Sequence, residues 1–220
     1  MEAVHGEEVE RAEGGGYPPL WLPTAEGAAE TNVGRFMATK FQGGRDWESC
    51  RTGDPRLDFP KLQMLSYDQP ELFWPQVLEE LRVKFHRKPS RILSPNRQNP
   101  DEVCWLPDAT MNIAESCIVG RDPDAAAVVW AKDGSPRDVH YISVGQLHQQ
   151  ICHVASSLRA MGLRPGDSVA VCMPMTARAV SLYLGIVWAG CAVVGVADSF
   201  AKAEVATRVR VAGASAMFTQ

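Results

Sequence analysis

From Ser143 onward, apolar positions recur with alternating helical and strand periods, and that alternation predicts the architecture. Val144, Leu147, Ile151, Val154, Leu158 and Met161 fall every three or four residues, the spacing that lines one face of a helix over 143–161 and requires a partner surface. Ser143 and Gln146 have capping-box spacing, and Gly162 suits the left-handed position after the last turn. Arg164-Pro165-Gly166-Asp167 then leads into Val169-Ala170-Val171-Cys172-Met173. A run apolar on both faces predicts a strand over 168–173 inside a parallel sheet covered on both sides. The rhythm repeats as helix 176–189, strand 191–196, helix 201–212 and strand 215–219. In the last helix Val205, Val209 and Ala212 should face inward, with Glu204 and Arg208 four apart on the exposed side. The implied class is α/β, with right-handed βαβ crossovers in a doubly wound, mostly parallel sheet.

Upstream, Ala126 to Ala131 and Val139 to Ile142 are two β-rich runs around Lys132-Asp133-Gly134-Ser135-Pro136, which predicts a β-hairpin. Asp68 to Phe85 reads as a helix opened by Pro70-Glu71, with Phe73, Trp74, Val77, Leu78, Leu81 and Phe85 at helical spacing and Pro75 in its first turns. Pro95 to Pro107 reads as irregular, with Trp105 docking its ring into the main body. Met1 to about Leu65 carries Gly14-Gly15-Gly16 and Pro18, Pro19, Pro23, Pro55 and Pro60 among charges, the signature of loop or a loosely held, irregular helical N-terminal extension. The expected division is an extension over 1–64, an intermediate segment over 65–120, and over 121–220 the start of an α/β domain.

Composition narrows the class without naming a function. The chain has 220 residues, 45% hydrophobic, enough for one or two globular domains. A net charge of -4 and a pI near 5.7 supply no counterion-release drive toward nucleic acid or anionic lipid. Cys50, Cys104, Cys117, Cys152, Cys172 and Cys191 contain no C-x-x-C pair, as expected of reduced thiols in a reducing compartment. Glu2, Glu7, Glu8 and Glu10 without an apolar stretch argue against a secretory or transit peptide, and Phe218-Thr219-Gln220 is no targeting tripeptide. Ala179 to Ala197 carries no charge and is long enough to cross a membrane. Gly190 would end a helix there, however, and Cys191 to Val196 reads as a short buried strand, which favours helix plus strand over a span.

Candidate chemistry is sparse. Gly14-Gly15-Gly16 follows no strand and opens no helix, so it is not a phosphate loop, and no G-x-G-x-x-G, Walker, H-E-x-x-H or G-x-S-x-G motif occurs. His140, His148 and His153 do not share a helical face well enough to hold a metal, and they are expected to be polar surface residues. Arg82, Lys84, Arg87, Lys88 and Arg91 form a basic cluster expected at a solvated helix end. Asp198 and Ser199 follow a predicted strand end, where open α/β sheets bind ligands. A plain cap of the next helix by Ser199 is the simpler expectation. No catalytic residue and no metal ligand can be assigned.

Leu65-Ser66-Tyr67-Asp68-Gln69-Pro70-Glu71-Leu72-Phe73-Trp74 resembles the S-x-x-D-P-x-x-F-W segment of acetyl-CoA synthetase-like enzymes. Cys104-Trp105-Leu106-Pro107 with Met111-Asn112-Ile113-Ala114-Glu115-Ser116-Cys117 resembles their W-F-x-G-G-x-L-N-x-x-x-N-C segment. Ile142 to Pro174 and Gly185 to Asp198 resemble the first core motifs of the AMP-forming synthetases, and Val196-Ala197-Asp198-Ser199-Phe200 with Ala216 to Gln220 is similar to plant acyl-activating enzymes of the peroxisomal type. The resemblance implies an acid:CoA ligase that uses ATP and Mg²⁺ to form an acyl-adenylate and then transfers the acyl group to coenzyme A, in peroxisome or cytoplasm. Its partners would be the carboxylic acid, ATP and coenzyme A. The family's Ser/Thr/Gly-rich phosphate loop, its Tyr-Gly-x-Thr-Glu segment and its C-terminal Lys are not found here, so the expectation is a front portion that is silent by itself. Only Ala197, Asp198 and Ser199 match a loop that touches coenzyme A in the family, and there the loop carries two glycines that this chain lacks. The alternative expectation is a non-catalytic interaction module that associates with a full-length synthetase.

Overall fold

The computed structural model describes residues 24–40, 52–95 and 103–220. The chain divides into two compact units, Met1–Glu80 and Leu81–Gln220.

The first unit is helical over its described residues, in keeping with the irregular helical extension and the helix read from Pro70 onward. Helices α1 (Ala25–Ala29), α2 (Asn32–Lys40), α3 (Pro55–Asp68) and α4 (Pro70–Glu80) are each short or proline-bearing. Thr24 Oγ1 caps α1 by accepting the Gly27 N–H at 3.0 Å. Asp54 caps α3 by accepting the Arg56 N–H at 3.0 Å, with Pro55 in the first turn, where its missing N–H costs nothing. Pro60 and Pro75 sit inside α3 and α4 and each forgo one intrahelical bond. The offset is an aromatic core: Phe36, Met37, Leu62, Leu65 and Phe73 are buried, with Trp74 and Val77 against them. Phe36 and Phe73 meet edge to face at 6.1 Å, and Trp74 Nε1–H donates to the Ser66 carbonyl at 3.2 Å. Gly14-Gly15-Gly16 and Cys50 lie outside the described residues. The helix expected to reach Phe85 ends at Glu80, because Leu81 is 59% exposed and Arg82 takes φ 54.

In the second unit, strands β1 (Leu93–Pro95) and β2 (Val103–Trp105) form a small antiparallel pair where an irregular stretch was expected. Trp105, expected to dock its ring, is 53% exposed. Helix α5 (Ile113–Ile118) starts at Asn112, and the segment before β1 is tied to it by the Lys84 N–H donating to Ser116 Oγ at 2.9 Å. The basic cluster is exposed as expected. The hairpin of β3 (Ala126–Ala131) and β4 (Val139–Ser143) is antiparallel, with Val128 opposite Ile142, and both pack on Ile118, Leu147 and Ile151.

The parallel sheet follows the predicted rhythm. Helix α6 (Val144–Ala160) carries the full Ser143–Gln146 capping box and is followed by Gly162 at φ 89. Strand β5 (Ser168–Cys172) is central, flanked by β6 (Ala192–Gly195) and β7 (Ala214–Thr219) in the order β6-β5-β7, all parallel. Helix α7 (Ala177–Trp188) connects β5 to β6, and α8 (Lys202–Val211) connects β6 to β7. Leu158 and Ala155 of α6 and Ile186 and Ala189 of α7 bury Val169, with Val171, Val193, Ala216 and Phe218 packed beside them, so both helices cover one face. Val194 points to the other face, where it borders α8. Among the described residues no helix is long and apolar enough to cross a membrane. The uncharged run 179–197 resolves, as the helix-plus-strand reading expected, into most of α7, a turn at Gly190 (φ 83), β6 and the first residues beyond it.

Candidate functional site

Strand β6 ends at Gly195, and the backbone beyond it is still fastened to the sheet by the Val196 N–H donating to the Val171 carbonyl at 2.9 Å. From there Ala197, Asp198, Ser199 and Phe200 form a turn closed by the Phe200 N–H donating to the Ala197 carbonyl at 3.2 Å. Cys172, at the end of the central strand, places Sγ 3.8 Å from the same carbonyl. The turn thus stands at the carboxyl ends of β5 and β6, where helix and loop leave the sheet edge open to ligands.

Ala197, Asp198 and Ser199 are all exposed, and Phe200 is half-buried. The non-glycine residues at positive φ among the described residues are Arg82, Leu106 and Asp108, so none of these four is in the left-handed region. The turn therefore closes with ordinary L-residue backbone and has no conformational need for the two glycines of the related loops. The Ser199 cap is corrected: the N-cap of α8 is Ala201, and no side chain caps that helix. The Ser199 hydroxyl is left facing outward at the turn, an available donor and acceptor. Beside the turn a groove of about 620 Å³ runs between β6 and α8, lined by Val194, Gly195, Glu204, Thr207, Arg208 and Val211.

Arg208 was expected on an exposed face with Glu204. Both are exposed as expected, and the Arg208 guanidinium also lies 4.4 Å from the centroid of the Phe200 ring. Sequence reasoning missed this contact, and the only signal for it was the eight-residue separation, about two helical turns. The three histidines have separate surroundings. His140 stacks on Trp130 at 4.5 Å, with Nε2 3.2 Å from Asp138; His148 lies against Trp188 at 5.1 Å; His153 is exposed. Among the described residues no group of three His, Cys, Asp or Glu could hold a metal, so no metal step is assigned to them.

Residues 117–220 match the family described as "AMP-binding enzyme", and residues 60–117 match "Acetyl-coenzyme A synthetase N-terminus". The chain is 38% identical over 210 residues to "Probable acyl-activating enzyme 18, peroxisomal" of Arabidopsis thaliana, covering 92% of this chain and 28% of that protein. It is 34% identical over 212 residues to "Hexanoyl-CoA synthase" of Cannabis sativa, covering 94% of this chain and 29% of that protein. Among solved structures, acetoacetyl-CoA synthetase from Streptomyces lividans superposes with a TM-score of 0.74 at 28% identity, covering 92% of this chain and 30% of that one. The chain thus spans under a third of the length of these relatives.

Proposed function

Over residues 60–220 this chain belongs to the acetyl-CoA synthetase-like AMP-binding enzymes, and from that premise we propose that it is the front portion of an ATP-dependent acid:CoA ligase. In the proposed reaction the substrate carboxylate attacks the α-phosphorus of ATP and pyrophosphate leaves. The thiolate of coenzyme A then attacks the acyl carbonyl of the adenylate and AMP leaves. Mg²⁺ would accompany the nucleotide and neutralise charge that develops on its phosphates.

The observation that carries the proposal is the junction of the two family segments at residue 117, inside a single unit whose parallel sheet presents a turn at its carboxyl edge. We propose that this chain contributes the scaffold and one ligand contact. Ala197, Asp198 and Ser199 would touch coenzyme A, through backbone amides and the Ser199 hydroxyl. Their exposure and ordinary backbone dihedrals support that reading. The division at residues 120 and 121 read from the sequence is kept as part of the proposal, close to the junction of the two matches. A peroxisomal setting is proposed from the compartment in the name of the Arabidopsis relative, with the cytoplasm as the other candidate.

The test is pyrophosphate release by the native gene product, captured with antibodies to this chain and supplied with ATP, coenzyme A and a series of short- to long-chain carboxylates. Acid-dependent release followed by acyl-CoA formation is expected. No release with any member of the series would overturn the proposal. The 220-residue chain by itself should release none, since its sequence contains no Ser/Thr/Gly-rich phosphate loop.

A further inference from the structure

We infer that Arg208 is the positioning residue of the turn Ala197–Phe200, holding it through the face of the Phe200 ring. The two ends of this turn are fastened differently. Its first end is welded to the central strand by the Val196 N–H on the Val171 carbonyl and by Cys172 Sγ near the Ala197 carbonyl. Its second end runs into α8 without a side-chain cap, because Ala201 has no group to accept from the helix amides. Helix α8 buries none of its residues fully, so packing alone gives the second end little anchorage. The Arg208 guanidinium over Phe200 at 4.4 Å supplies the missing tie, within the range at which a cation is attracted by a ring quadrupole.

The charge on Arg208 is committed to this contact. Among the described residues it makes no ion pair, although Glu204 lies one turn earlier on the same helix. Arg208 also lines the groove beside β6, so one side chain borders both the groove and the turn. Releasing it would let Phe200 swing out, and Asp198 and Ser199 would move with it. That the positioned turn meets coenzyme A rests on the reading proposed above; the tie itself does not.

The experiment separates the two. In the 220-residue chain, Arg208→Met removes the cation and Phe200→Leu removes the ring face, while Arg208→Lys and Phe200→Tyr keep them. Brief trypsin digestion reports opening of the turn by cleavage after Lys202, with cleavage after Lys132 in the hairpin loop as the internal reference. Arg208→Met and Phe200→Leu should raise the Lys202 rate about two- to fivefold, the factor expected from losing one exposed cation–π contact. Arg208→Lys and Phe200→Tyr should stay close to the parent, Lys132 cleavage should not change, and the thermal midpoint should not move. Calorimetric titration with coenzyme A should show affinity falling in the same order. Parent-like Lys202 cleavage in Arg208→Met would overturn the inference. A parent chain that binds no coenzyme A but shows the protease order would retain the tie and overturn the ligand reading.

Discussion

Asn112 donates its Nδ2–H to the Val187 carbonyl oxygen at 2.8 Å while its Oδ1 accepts the Ala114 N–H at 3.0 Å. One side chain therefore caps the start of α5 and satisfies a carbonyl in the last turn of α7, joining segments 75 residues apart in sequence. The Val187 carbonyl also accepts the Gly190 N–H at 2.9 Å, so the Asn112 amide adds a second bond at a helix end, where carbonyls lack their usual intrahelical partners. Asn112→Ala should lower unfolding stability by about 1–3 kcal/mol, the sum of a lost cap and a lost hydrogen bond between the two helices. Asn112→Asp keeps the cap acceptor but turns a carboxylate toward the Val187 carbonyl. Urea unfolding checks both, and an Asn112→Asp chain as stable as the parent would show that the inter-helix bond contributes nothing.

Helices α6 and α7 cross where Gly185 meets Val154. A Cβ at position 185 would lie 2.5 Å from Val154 Cβ and 3.1 Å from the Ile151 carbonyl, distances that force the helices apart. Gly185→Ala should cost about 1–3 kcal/mol by overpacking, read as a lower thermal midpoint. Adding Val154→Ala removes Cγ1 but leaves the Cβ in place, so the rescue should be partial. Full rescue, or no loss at all, would contradict the close crossing.

The contrast between the two units explains what could be read in advance. From Ser143 to Thr219 every helix has an apolar stripe with a period near 3.6 or a capping signal, and Gly162 and Gly190 punctuate the ends, so local preference and tertiary packing agree. In the first unit Pro55 and Pro70 suit helix starts, while Pro60 and Pro75 argue locally against a helix interior. The burial of Phe36, Leu62, Leu65 and Phe73 against one another overrides them. Ser199 was misread for a related reason. A hydroxyl before a helix has a common local use, and only the three-dimensional path of the 197–200 turn rules that use out. The turn itself was legible because it follows the apolar run of β6; its tie to Arg208 was not, since nothing in the residues between them marks it.

Asp54 is expected to contribute to the acid response of the helix that it caps. Its carboxylate accepts from Arg56 Nη2–H at 2.8 Å, from Arg56 Nε–H at 3.1 Å and from the Arg56 backbone N–H at 3.0 Å. The Arg56 side-chain hydrogen bonds first, then its backbone N–H and its charge, hold the carboxyl below the ordinary carboxylate range. A depressed folded-state value means that the unfolded chain binds the proton first. The contribution is therefore present above the unfolded value and lost as pH falls through the folded one. Far-UV circular dichroism should show helix loss beginning below about pH 4. Asp54→Asn keeps a capping acceptor without a titrating group and should shift that loss to lower pH or flatten it; an unchanged acid limb would rule Asp54 out as a contributor.

Cys191 gives the opposite sign at the alkaline end. It sits between α7 and β6, 7% exposed, with Sγ 3.5 Å from the Arg164 carbonyl. Burial, reinforced by the nearby Asp167 charge and opposed by Arg159, pushes the thiol above its ordinary value. The folded state then keeps its proton after the unfolded state has lost it, so the contribution is intact below the unfolded thiol value and disappears as pH rises through the folded one. The same burial withholds the thiolate from electrophiles. Iodoacetamide at mildly alkaline pH should modify the exposed Cys104 and Cys117 first and reach Cys191 only when the sheet opens, a protection that urea abolishes. Cys191→Ala should leave neutral-pH stability lowered by a lost packing contact, yet remove part of the alkaline decline. Mass-spectrometric mapping decides between the alternatives, and Cys191 labelling at the rate of Cys104 in the native chain would place it outside the core.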